Sequence, residues 1–130
     1  MNKIIKIANY DLDKYKKQFK EAYIVELDGE KIRSWKDYIK FATKLFKIEN
    51  LEYGYNQHID NMEDRDYFLN VNSILLIVHN YNKFMKFRKK DKLLFEEVYR
   101  EDILPWYDSE IIKCRVGGKR IDFNVLLIEE

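Results

Sequence analysis

The stretch SILLIVHNY, Ser73–Tyr81, decides the fold of this chain. Ile74–Val78 carries no polar residue and is rich in β-branched side chains. A strand with one wet face alternates polar and apolar residues; an unbroken apolar run belongs to a central strand covered on both faces. A second apolar run, FNVLLI at Phe123–Ile128, reads the same way. Working outward, AYIVELDGEKI gives a strand over Ala22–Leu27, turned by Asp28-Gly29, with Gly expected to supply a positive φ. Strands separated by helical stretches imply a parallel sheet with helical crossovers, here of three strands or four. The expected class is α/β.

The helical stretches carry their own signals. Ser34 stands where a hydroxyl can cap free backbone N–H groups, and Asp37 resembles the third position of a capping box. Trp35, Tyr38, Ile39, Ala42, Leu45 and Phe46 then form one apolar stripe, with Lys36, Lys40, Lys44 and Lys47 facing away. Lys83–Arg100 is helical in pattern and is expected to stop near Pro105, the only proline. Its basic run FRKKDK, diluted by Asp91, Glu96 and Glu97, reads as the outer face of that helix. Trp106–Val116 is less regular, and Gly117-Gly118 turns the chain into the last strand. Residues 1–20 read as a strand or arm followed by a short helix, an extension ahead of a domain over residues 21–130.

Composition narrows the classes of function. Across 130 residues, 46% are hydrophobic and 15% aromatic, which provides a core and argues against disorder. Lys and Arg total 24 against 23 Asp and Glu, a formal net charge of +1. A general nucleic-acid binder would be strongly basic, so no direct nucleic-acid partner is expected. Cys114 is the single cysteine, which excludes an internal disulfide and gives no metal-ligand spacing. No apolar run reaches the roughly 18 residues of a membrane span. The opening MNKIIKIANYDLDKYKK is broken by polar residues and lacks a small-residue cleavage pattern, so it is not read as a secretory signal. A monomer in the reducing cytoplasm, away from membranes, is the expectation.

The chemistry-bearing residues are few. The four glycines form no phosphate-binding pattern, and no cofactor is expected. His79, just past the central strand, occupies a place where α/β folds put functional groups, although a turn or packing role is the plainer reading. What stands out is LEYGYNQHIDNMEDRDYF, Leu51–Phe68: a Tyr-Gly-Tyr turn running into a short helix carrying Asp60, Glu63, Asp64 and Asp66 against Arg65. These acids lack the alternating ligands and glycine of a calcium loop, so no metal is expected. Tyr53, Tyr55 and Tyr67 bracket them. Rings beside carboxylates suit a protein interface, where the rings supply area and the acids specificity.

Taken in order, three pieces resemble the barstar family of ribonuclease inhibitors: IVELDGEKIRSWKDYIKFATKLF with its D-G-x-x-I-x-S pattern, YGYNQHIDNMED with its Tyr-Gly loop and D-x-M-x-D helix, and ILLIVHNYNKF. The resemblance covers Ala22 to Ile128. It implies a barstar-like sheet packed with helices, and a non-enzymatic immunity protein that occludes the active site of a toxin nuclease, a ribonuclease first. It implies Tyr53, Gly54, Tyr55 and Asn56 as the contact loop, and His58, Asp60 and Asp64 as the helix face that meets cationic groups. Anchoring on D-x-M-x-D matches Asp60 to the family's central inhibitory aspartate, and this also aligns the middle strand. Anchoring on Tyr53-Gly54 instead puts that aspartate nearer Met62, or at Asp64 if two residues are inserted. The near-neutral charge departs from the acidic namesake.

Overall fold

The structure is a computed structural model that describes residues 1–129. Four strands, β1 (Ile4–Ala8), β2 (Tyr23–Asp28), β3 (Ser73–His79) and β4 (Asp122–Glu129), form one sheet in the order β1-β4-β3-β2. Every pairing is parallel, with Leu76 of β3 level with Val25 on one side and Val125 on the other. The chain is therefore α/β, with four strands. The run Ile74–Val78 is central and buried, as its composition requires.

The two faces are covered unequally. Ile74, Leu76 and Val78, with Phe123, Val125 and Leu127, face the main core. Leu75, Ile77, Leu126 and Ile128 face the other way, under Leu12 and Tyr15 of α1 (Leu12–Gln18). All remaining helices lie on the first face: α2 (Trp35–Leu45), α3 (Tyr55–Glu63), α4 (Arg65–Leu69), α5 (Lys89–Glu97) and α6 (Ile111–Cys114). Along α2, the stripe Trp35, Tyr38, Ile39 and Ala42 is buried. Ser34 accepts from the Asp37 N–H at 3.3 Å, and Asp37 reaches back to the Arg33 N–H at 2.9 Å, so the cap forms as expected.

Three details differ from the reading of the sequence. Residues 1–20 are not a separate arm, because β1 is the edge strand beside β4. Asn124, the polar interruption in β4, accepts from Lys3 N–H at 3.0 Å, and buried Asn2 bonds the backbone of Ile121 and Phe123. These two asparagines fasten the strand. Gly29 is needed for close approach rather than for a positive φ: a Cβ there would lie 2.5 Å from the Asn80 carbonyl oxygen and 2.7 Å from that of His79.

The third concerns the helix expected over Lys83–Arg100. It begins only at Lys89, after Met85 adopts a left-handed φ of 49° and the Arg88 N–H closes a turn on the Met85 carbonyl at 2.9 Å. It then runs on through Pro105 instead of stopping there. Wide π-helical turns at Val98–Ile103 and Trp106–Glu110 flank the proline, where i→i+5 bonding changes which carbonyl each N–H must reach. This long helical passage supplies the floor of the site described next.

Candidate functional site

Gly54 is the N-cap of α3, so Tyr53 and Gly54 form the approach and Tyr55 and Asn56 the first helical turn. The Trp35 indole N–H donates to the Tyr53 carbonyl at 2.8 Å, and the Trp35 and Tyr55 rings meet edge to face at 5.0 Å. α2 thus fixes the loop from beneath while Tyr53 and Tyr55 remain exposed. Asn56, Asp60 and Asp64 follow at intervals of four, which sets them along one line of the helix. Asn56 and Asp60 are exposed, and Asp60 has no ion pair among the described residues. Beyond the helix, Tyr67 and Phe68 are exposed at 72% and 65%, extending the aromatic rim.

His58 departs from the expected surface position. It is 1% exposed, and its Nε2 lies 2.8 Å from the Tyr38 hydroxyl, which is in turn 2.5 Å from the Tyr99 hydroxyl. Burial, with a smaller contribution from Arg65, pushes its pKa down to about 3, so the imidazole is neutral. With Met62 one turn further on, also buried, it packs α3 onto the core. Neither residue can meet a partner without unfolding the helix, which leaves Asp60 and Asp64 as the outward acids of the D-x-M-x-D run.

The C-terminal end of α3 would carry unpaired carbonyls, and side chains from elsewhere satisfy them. Tyr107 donates to the Met62 carbonyl, Trp106 to that of Glu63 at 3.0 Å, and Arg115 to that of Glu63 at 2.9 Å. Arg65, buried despite its charge, donates to Asn61, Phe46 and Lys47 carbonyls and so joins the ends of α2 and α3. Arg115 also pairs with Asp66 at 2.7 Å and with Asp64 at 3.2 Å. Asp64 is thus exposed but engaged within the chain.

Negative potential survives this pairing. Burial raises the Glu63 pKa, and Asp60, Asp64 and then Asp102 raise it further against the opposing Arg115. Asp102 comes from the π-helical passage and joins the cluster only through tertiary structure; Arg115 and Trp106 do likewise. No local pattern around any of them announces this. At the other end of α3 the charge is mixed: Lys36 sits 5.6 Å from the Tyr53 ring, and Arg88 and Asp91 share a hollow with Tyr53 and Tyr55. The acids are therefore concentrated toward the C-terminal end of the helix.

His79 donates through Nε2–H to the Glu26 carboxylate at 2.8 Å, and Lys16 also contacts that oxygen at 3.2 Å. Burial would raise the Glu26 carboxyl, but the bonds from His79 and Lys16 outweigh it and hold the pKa low. This is a surface cluster on edge strand β2. No group of His, Cys, Asp or Glu among the described residues is arranged to hold a metal ion, and none of their helices is long and apolar enough to cross a membrane. No protein-family model, curated protein or solved structure matches the chain.

Proposed function

We propose that this protein is a non-enzymatic inhibitor of the barstar type, an immunity protein that occludes the active site of a toxin nuclease, a ribonuclease first. The observation that carries the reading is Asp60: exposed, without an ion pair among the described residues, and close enough to Glu63 to raise its pKa, on a helix anchored along its inner side. Acids fixed in place complement a cationic cleft, speed encounter with it and occupy the positions of RNA phosphates. Tyr53, Tyr55 and Asn56 supply the adjoining contact area, and Gly54 the start of the helix. His58 serves by packing, and Asp64 acts together with Arg115.

The test uses the nuclease encoded by the neighbouring reading frame, mixed with an equal amount of this chain and assayed for RNA cleavage. Wild type should abolish cleavage. Asp60→Ala should weaken inhibition at least tenfold, the scale of about 1.4 kcal/mol or more for a charged interfacial group. Full inhibition by both Asp60→Ala and Glu63→Ala would overturn the proposal.

One observation favours a second reading, a barstar-like interaction domain that inhibits nothing. Arg115 already engages Asp64 and Asp66, which reduces the free charge available to a partner's cleft. Binding of the nuclease with undiminished cleavage would establish it. Deleting residues 1–20 cannot separate the two, because it removes β1 and exposes the β4 edge.

A further inference from the structure

The molecule's net charge of +1 averages over two ends that differ sharply. At the C-terminal edge of β2 and β3, the chain leaves the sheet through Asn80 and turns at Met85, whose side chain is fully buried. Burying Met85 in a left-handed turn forces the next residues outward. Phe87 is consequently 91% exposed, an unusual position for a phenylalanine in a chain whose other rings are mostly packed.

Cations surround that ring. Lys86, Arg88, Lys89 and Lys90 adjoin it in the chain, and Arg33 approaches from the start of α2. None of these five has a carboxylate partner among the described residues. Three acids lie nearby and are outnumbered: Asp91 accepts from the Trp35 backbone N–H at 2.9 Å and Glu96 from the Tyr81 hydroxyl at 2.6 Å, neutral donors that leave their charge in place, while Glu30 pairs with Lys83 at 3.5 Å. Phe87 lines two open hollows of about 540 Å³ and 420 Å³, the first shared with Lys89, Lys90 and Asp91 and the second with Arg33, Lys83 and Glu30, so cations outnumber the single acid in each.

We propose that this surface binds single-stranded nucleic acid, with a base stacked on Phe87 and successive phosphates held in the hollows it lines. The Lys86 ammonium lies over the Phe87 ring at 5.7 Å from its centroid, and the ring is otherwise open to solvent; an exposed ring among cations is the arrangement that sequence-tolerant single-strand binding requires. A protein partner fits less well, since lysine is depleted in the buried centres of protein interfaces and lysines outnumber arginines around the ring. An anionic bilayer fits less well too, because one inserted ring with a basic fringe gives weak, reversible attachment. The expectation of no nucleic-acid partner came from net charge, and separation of charge removes its basis. This inference does not rest on the inhibitor reading, whose acids lie at the far end of α3.

The test is fluorescence anisotropy of a labelled twelve-residue oligouridine with the full chain at increasing salt. Binding should weaken about 50-fold between 50 and 200 mM salt, as four neutralised phosphates on a single strand imply. Phe87→Ala should reduce affinity about tenfold with the salt dependence unchanged, and Phe87→Trp should restore it. Lys89→Gln with Lys90→Gln should flatten the salt dependence. All of these side chains are exposed, and circular dichroism verifies that each variant keeps its fold. Binding that is indifferent to Phe87, or matched by heparin at equal charge, would overturn the proposal, as would binding to phosphatidylserine vesicles but not to the oligonucleotide.

Discussion

One guanidinium nitrogen of Arg115 donates to both carboxylate oxygens of Asp66, at 2.9 and 2.7 Å. The pair joins the segment after the π-helical passage to the short helix that follows the acidic face. The Asp66 side chain is only 11% exposed, so loss of Arg115 strands a half-buried carboxylate and uncaps the end of α3. Arg115→Gln should therefore destabilise the fold by about 1–3 kcal/mol, the range for an orphaned polar group. Adding Asp66→Asn should recover part of that loss, because the stranded charge is gone. Urea denaturation of the two variants and wild type measures both effects.

His58 makes the fold acid-sensitive. Its pKa falls from 6.5 in the unfolded chain to about 3 in the folded one, so the unfolded state binds more protons between those values. Stability is complete above the unfolded value and declines as pH drops toward the folded one. Between pH 7 and pH 5 the expected loss is about 2 kcal/mol, from about 1.4 kcal/mol per pH unit once below 6.5. His58→Gln, which cannot titrate, should lose much less over the same interval. Urea midpoints at pH 5 and pH 7 decide it, and equal losses in the two proteins would refute the assignment.

Glu63 reports the field of the acidic face. Its pKa is raised by burial first and by Asp60 next, so Asp60→Asn should move it back toward the ordinary carboxylate range. Arg115→Gln should move it in the opposite direction, since that guanidinium opposes the rise. The side-chain carboxyl carbon of Glu63, followed by NMR titration, shows both shifts. A Glu63 titration untouched by Asp60→Asn would mean that the acids do not act as one cluster.

The fold was legible where pattern and period agree. Ile74–Val78 has only one way to bury both faces, and α2 announces itself by Ser34, Asp37 and its stripe. The fourth strand was less visible, because Ile4–Ala8 is short and its attachment depends on Asn2 and Asn124, polar residues that contribute nothing to a hydrophobic pattern. Pro105 misled because a proline normally ends a helix, whereas the π-helical turns on either side carry the chain past it. In the site, the spacing of Asp60 and Asp64 was readable, but the inward turn of His58 was not. A histidine at i with methionine at i+4 shares a face, and only the position of Tyr38 and Tyr99 makes that face the buried one. Asp102 and Arg115 arrive from distant segments, so no local reading could include them.

Gly29 gives a test of the sheet's upper edge, where β2 and β3 end side by side. Its missing side chain lets the turn after β2 pass within contact of the carbonyls of His79 and Asn80, both of them backbone and unable to swing aside. Gly29→Ala should therefore force the two strand exits apart, at a cost of about 1–3 kcal/mol typical of overpacking. The same displacement would shift Asn80, whose side-chain amide donates to Asp28 at 3.1 Å, and with it the left-handed turns leading to Phe87. Gly54→Ala is the contrasting control: the added methyl group meets only the flexible end of Gln57, so that side chain can move away and the loss should stay below about 1 kcal/mol. Thermal and urea unfolding of the two variants should thus separate clearly, and comparable losses would mean that the close approach at Gly29 does not hold the two strand ends together.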